Sequence, residues 1–179
     1  LYSSAASDVY KRQSQDRIVP DCVRSWVKNE TVQLRNPKAT RPWQHVLDCL
    51  HGYIKLAEFL YHNSDKALCS SYNFGPNKKY ILNVEGMVRL IMAEWKGNWK
   101  LAKKKDNIKE AEILLLDSSK SKNILGWQPI WDLETSVKKT IFWYKNRNNN
   151  AQKLTDEDIE NFMNIWNKDD KYKTNTINQ

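Results

Sequence analysis

Nothing in this sequence approaches the roughly 20 consecutive apolar residues that a membrane-spanning helix needs; the best candidate is the short run Ile113-Leu114-Leu115-Leu116. Glycine and proline are scarce, five of each, which excludes collagen-like and linker composition. The glycines stand at 52, 75, 86, 97 and 126, too scattered for a G-x-G-x-x-G or G-x-x-x-x-G-K-[ST] loop to cradle a phosphate. Cysteine comes as an odd three, Cys22, Cys49 and Cys69, with no C-x-x-C pair and no histidine at zinc-ligand spacing. These read as buried, reduced thiols without a metal, as in a reducing cytoplasm rather than a disulfide-stapled secreted domain. No H-E-x-x-H motif occurs, and no tyrosine is followed four positions later by lysine. His45, His51 and His62 have no serine and carboxylate arranged as a nucleophilic triad and read as structural. Arginine is sparse too: 7 against 22 lysines, in a net charge of +8. Planar recognition of phosphates or base edges leans on arginine, so the lysine excess reads as solvated surface and argues against a nucleic-acid partner.

What is present is a folding composition. Of 179 residues 40% are hydrophobic, with eight tryptophans, eight tyrosines and four phenylalanines, enough for one lobe with a buried core plus a tail. Residues 1–13 are small, polar and aperiodic, unlike a secretory signal. They resemble a translated adaptor, and the expectation is an artefact joined to the C-terminal part of something longer.

Periodicity then places the elements. Ile18, Cys22, Val23, Trp26 and Val27 recur at helical spacing, with Pro20 tolerated in the first turn, giving a helix over 19–28. Strands are expected at Thr31–Arg35, Trp43–His45, Ser70–Phe74 and Ile113–Leu116. A helix of about four turns starts at Val46, described by the apolar positions Leu50, Tyr53, Ile54, Ala57, Leu60 and Tyr61, with Gly52 as a cost to it. Asn83 caps a helix packing through Val84, Val88, Ile91, Met92 and Trp95. Asp117 caps a short helix stopped by Gly126, and Asp132 caps another through Leu133, Val137, Ile141 and Tyr144. After an Asn146–Asn150 linker, Thr155 and Asp158 approximate a capping box for a last helix presenting Ile159, Phe162, Met163 and Trp166. Trp26, Trp95 and Trp143 read as core, Trp127 as an anchor for the last helices, and Lys103–Lys105 as a solvated loop. The class is α/β, helix-rich with short strands and no internal repeat.

The segment Asn36-Pro37-Lys38-Ala39-Thr40-Arg41-Pro42-Trp43-Gln44-His45 sets one arginine in a loop pinned by two prolines. Such a loop suits a bidentate phosphate clamp or, equally, an arginine paired with a neighbouring helix. Trp43 supports that loop or lines a pocket. Together with Asp16-Arg17-Ile18-Val19-Pro20-Asp21, Leu34-Arg35 before it, Val46 after it and Tyr72-Asn73-Phe74-Gly75-Pro76, this segment resembles the CDP-glucose 4,6-dehydratases. These are sugar-nucleotide-modifying members of the extended short-chain dehydrogenase/reductases. Leu116-Asp117-Ser118-Ser119-Lys120-Ser121-Lys122, Leu125-Gly126-Trp127-Gln128-Pro129 and Trp143-Tyr144 resemble the C-terminal signature of that superfamily at large. The likeness spans about residues 14–147.

The resemblance implies the substrate-binding lobe of such an enzyme, residues 14–147, with 148–179 a linker and an amphipathic helix. It implies a Rossmann lobe, absent from this sequence, that holds NAD and every catalytic side chain, so that this piece alone is inactive. The parent lyase would oxidise the sugar of CDP-glucose at C4, eliminate water across C5 and C6 and return the hydride at C6, as a cytoplasmic homodimer. Arg41 matches the arginine that relatives place on the substrate diphosphate. Arg17 and the Ile18 backbone would lie at the site entrance, Leu34 and Arg35 beside the base, and Glu110 in a nearby loop. Two departures stand out. Lys105-Asp106-Asn107-Ile108 replaces a stretch that often carries a second diphosphate arginine, and Lys109-Glu110-Ala111 stands where His-Glu-Ala is usual. Another epimerase or dehydratase of the superfamily remains open, as does a freestanding basic module binding RNA or an acidic partner through Lys103–Lys105, Arg35 and Arg41.

Overall fold

The computed structural model describes residues 17–65, 68–103 and 111–168. In chain order the elements are α1 (Ile18–Val27), β1 (Val32–Leu34), β2 (Thr40–Arg41), α2 (Val46–His62), a 3-10 turn (Lys78–Tyr80), β3 (Leu82–Asn83), α3 (Val84–Glu94), β4 (Trp99–Leu101), α4 (Ser119–Leu125), α5 (Leu133–Asn146) and α6 (Ala151–Lys168). β1 pairs in parallel with β4, Val32 opposite Trp99. β2 pairs antiparallel with β3, Thr40 opposite Asn83 and Arg41 opposite Leu82. The helix-rich α/β class is as expected; the adaptor-like residues 1–13 lie outside the described residues.

The main core joins α1, β1, α3 and α5 through Cys22, Val23, Trp26, Val32, Leu34, Val88, Ile91, Val137 and Ile141. Burial of each such aliphatic side chain contributes about 1.5–3 kcal/mol. The indole of Trp26 also donates to the Asn98 carbonyl at 2.9 Å, tying α1 to the start of β4. Trp95 is half-buried at the rim of this core, and Trp143 is half-buried with its indole donating to Thr155 Oγ1 at 3.0 Å. A second cluster holds Phe59, Phe74, Leu125 and Trp127.

The caps follow from the sequence. Asn83 Oδ1 accepts the Gly86 amide at 2.8 Å and Asp132 Oδ1 accepts the Thr135 amide at 2.8 Å. Replacing Asn83 by Ala leaves that amide without its acceptor and is expected to cost about 1 kcal/mol, read as a lowered midpoint in thermal unfolding. Gly126 ends α4 at φ 61°, the left-handed conformation a helix stop uses. Before α4 the N-cap position is Ser118, and Asp117 Oδ1 instead takes the amide and the hydroxyl of Ser119 at 3.0 and 2.6 Å.

Several local expectations fail, each for a tertiary reason. Trp43–His45 joins no ladder among the described residues; the ladder forms before it, at Thr40–Arg41. Ile113 makes a single parallel bridge to Thr40, and Ser70–Phe74 enters no ladder among the described residues. Conversely β4, inside a polar stretch, is a strand because β1 supplies its hydrogen bonds. α6 begins four residues before Thr155, so that hydroxyl sits inside the helix and donates to the Ala151 carbonyl at 2.8 Å. Of the cysteines only Cys22 is buried; Cys49 is half-buried and Cys69 exposed, and none of the three is in a disulfide. Burial raises the Cys22 thiol to about 12, with Asp21 adding to the rise, so it is an inert core group.

α2 buries polar residues that its apolar spacing does not announce. Its buried residues are Asp48, His51, Gly52, Lys55 and Phe59, while Leu50 is 43%, Ile54 53% and Tyr61 86% exposed. The inner side faces the turn at 126–131, whose backbone groups need polar partners, and so recruits the polar residues. Gly52 is required there, because the Phe74 ring occupies the space a Cβ would take.

Candidate functional site

Around Arg41 the backbone is fixed on both sides. β3 flanks β2 on one edge. On the other, the Thr40 amide donates to the Glu112 carbonyl at 2.7 Å and the Leu114 amide to the Thr40 carbonyl at 3.1 Å. Arg41 Nη1 donates to the carbonyls of Thr40 at 2.8 Å and Ala111 at 2.9 Å, which orients the guanidinium plane. Trp43 packs against the main core and its indole donates to the Leu82 carbonyl at 2.9 Å, so it holds β3 under the Arg41 segment. Gln44 Nε2 donates to the Phe74 carbonyl at 2.8 Å, joining the segment to the second cluster.

The other candidates are spread over neighbouring elements. Arg17 occupies the N-cap position of α1, its carbonyl accepting the Asp21 amide at 2.8 Å, and Ile18 packs half-buried on the main core. Leu34 is buried in β1, and Arg35 follows it at the surface. Arg41 and Trp43 thus go with the β2–β3 ladder, Leu34 and Arg35 with β1–β4. Glu110 lies outside the described residues, as do Lys104 and Lys105; Lys103 is exposed.

A polar row on α2 escaped the sequence reading. Asp48 Oδ1 accepts the Ile130 amide at 2.6 Å, and the Trp127 indole donates to the Asp48 carbonyl at 3.3 Å. Burial raises the Asp48 carboxyl to about 7 against the lowering effect of hydrogen bonds from the Ile130 and Trp131 backbone. Lys55, fully buried, reaches the Gly126 carbonyl at 3.4 Å, and burial lowers its amine. His45 caps α2 with Nδ1 accepting from the Leu47 amide at 3.3 Å and its ring 4.7 Å from that of Trp131. Burial holds His45 down to about 4, Asp158 opposing and Lys139 assisting. The signal for this row was a spacing of three and four residues, 48, 51, 55, masked by the apolar residues between them.

Among the described residues no group of three or more histidine, cysteine or acidic side chains could hold a metal, and no helix is long and apolar enough to cross a membrane. Gly52 and Gly97 have aromatic rings against them, and Gly126 closes a helix, so these glycines open no cradle.

The fold is the one found in extended nucleotide-sugar epimerases and dehydratases. It matches the UDP-glucose 4-epimerase of Stenotrophomonas maltophila, solved with NAD and formylated UDP-arabinopyranose, with TM-score 0.64, 16% identity, and 78% of this chain and 43% of that one covered. The dTDP-glucose 4,6-dehydratase of Bacillus anthracis, in complex with NAD, gives TM-score 0.59 at 18% identity, over 78% and 42%. The UDP-glucuronic acid 4-epimerase of Bacillus cereus, with UDP-glucuronic acid and NAD, gives 0.60 at 14%, over 76% and 42%. In sequence, the chain is 38% identical over 134 residues to the CDP-glucose 4,6-dehydratase of Salmonella typhimurium strain LT2. The match takes in 74% of this chain and 37% of that relative, so the chain spans little more than a third of the curated relative's length. No family model matches the sequence. The likeness to the CDP-glucose 4,6-dehydratases read from the residues is thereby borne out in sequence, and that to the extended reductases in fold.

Proposed function

We propose that this chain is the substrate-binding part of an NAD-dependent sugar-nucleotide 4,6-dehydratase, a lyase acting on CDP-glucose, and that it supplies the nucleotide and diphosphate clamp. The observation that carries the reading is the 38% identity over 134 residues to a CDP-glucose 4,6-dehydratase. Arg41 is the centre of the clamp. A guanidinium oriented by two carbonyls, at 2.8 and 2.9 Å, has little rotamer freedom left to lose when a diphosphate arrives, and charge-assisted fork bonds are among the stronger polar contacts. Arg17, Ile18, Leu34, Arg35, Trp43 and Glu110 complete the substrate set in this reading. NAD and the catalytic side chains belong to the parent enzyme's other lobe, and the parent is a cytoplasmic homodimer. The apolar stripe of α2, with Val46, Leu50, Ile54 and Tyr61 exposed, supports a lobe that normally covers it, since contiguous apolar surface of this kind marks an interaction face.

Titration calorimetry with CDP tests the clamp. Arg41→Ala is expected to weaken CDP at least tenfold, as losing a charged hydrogen-bond pair costs about 1.5–3 kcal/mol, and Arg41→Lys to restore only part of it, because an ammonium lacks the fork. Equal affinity in Arg41→Ala and the parent overturns the assignment.

A further inference from the structure

The clamp uses none of the buried row on α2, and one member of that row stands out. His51 is 2% exposed, and neither Nδ1 nor Nε2 has a hydrogen-bond partner among the described residues. Its ring is closed in by α6: Trp166 lies edge-on with centroids 4.4 Å apart, and Phe162 at 5.9 Å. Phe162 in turn packs on Trp131 at 5.3 Å. A neutral imidazole tolerates this apolar enclosure at the cost of one unmade donor and one unmet acceptor, whereas an imidazolium would bury a charge and two donors with no acceptor.

We propose that His51 is the latch of the C-terminal helix: α6 stays docked on α2 while the imidazole is neutral and is released when it takes up a proton.

The charged groups around His51 do not relieve the imidazolium. On α2, Lys55 stands one turn on and is itself cationic or neutral, with Glu58 beside it. Asp48 stands one turn back, but its carboxyl, raised to about 7, is protonated at pH 5 and carries no charge to pair with. From α6 the facing groups are Phe162 and Trp166, both uncharged, while Asp158 is engaged by Lys139 of α5 at 3.0 Å. From the 126–131 turn the neighbouring ring is Trp131, which packs on Phe162.

The sign follows from linkage. Burial, aided by Lys55, holds the docked imidazole down to about 4, against 6.5 for an ordinary histidine. Above 6.5 neither form binds the proton and docking is at full strength. Between 6.5 and 4 only the released form binds it, so docking weakens as pH falls, and below 4 the loss levels off. From pH 7.5 to pH 5 the docking constant is expected to fall about thirtyfold.

Hydrogen exchange of the 179-residue chain, corrected for the intrinsic rate, reads this directly. Protection of the α6 amides should drop about thirtyfold between pH 7.5 and 5 while that of α3, measured in the same sample, does not. His51→Phe keeps a ring against Trp166 without the titration and should remove the His51 share of the drop, leaving only what His45 contributes, which is likewise held down to about 4 with its ring 4.7 Å from that of Trp131. An equal drop in His51→Phe, or none in the parent, overturns the latch. Proton NMR of the His51 ring gives a second measurement that needs no variant: a midpoint well below 6.5 supports the proposal, and one at the ordinary value overturns it.

Discussion

Trp127→Ala is expected to destabilise the chain by about 3–5 kcal/mol, the range for removing a buried aromatic from a core. The side chain is 1% exposed and fills the second cluster, its ring 5.1 Å from that of Phe74 at a 74° tilt. Its indole donates to the Asp48 carbonyl and its amide to the Ser121 carbonyl, at 3.3 and 3.2 Å. The substitution therefore opens a cavity and at once loosens α2 from the turn that Asp48 and Lys55 hold through Ile130 and Gly126. Native domains are stable by about 5–15 kcal/mol in total, so this one change removes a large share. Urea unfolding followed by far-ultraviolet circular dichroism measures it without relying on the deleted fluorophore; a shift under about 1 kcal/mol would mean that the cluster collapses around the gap.

Gly97→Ala should cost about 3 kcal/mol through the opposite fault, overpacking. The indole of Trp26 lies where a Cβ on residue 97 would stand. That ring has little room to move: it is 5% exposed in the main core and is held by its 2.9 Å bond to the Asn98 carbonyl. Relief requires breaking that bond or shifting β4 away from β1, to which Val32 and Trp99 join it in register. The same urea experiment reads the loss. The double variant Gly97→Ala, Trp26→Leu separates the causes, since a smaller side chain at 26 makes the alanine nearly neutral if the clash is the whole effect.

The helices were legible because their signals are local. The Asn83 and Asp132 caps, the Gly126 stop and the apolar periods of α1, α3 and α5 all depend on residues within a turn or two of each other. Of the short strands only β1, expected at Thr31–Arg35 and found at Val32–Leu34, was legible. β4 gives no periodic signal of its own and exists because β1 offers it a ladder, whereas Ile113–Leu116, the more strand-like sequence, makes one bridge. α2 shows the same limit from the other side. Its spacing correctly announced a helix from Val46, but which face turns inward depends on what it packs against, and the 126–131 turn offers the Ile130 amide and the Gly126 carbonyl for polar partners beside the Trp127 ring.

The site divides along the same line. By itself the sequence determined that Arg41 lies between Pro37 and Pro42, though the loop expected there is the strand β2, that the glycines spell no dinucleotide motif, and that the chain resembles the CDP-glucose 4,6-dehydratases. Each of these follows from residue identity and order. Tertiary structure alone decided that two carbonyls, one of them 70 positions away at Ala111, orient the Arg41 guanidinium. It alone decided that Asp48, His51 and Lys55 are buried beneath α6 and the 126–131 turn. The physical reason is common to both. A side chain's hydrogen-bond partners and its share of solvent are set by segments far away in sequence, and no local pattern encodes where those segments will lie.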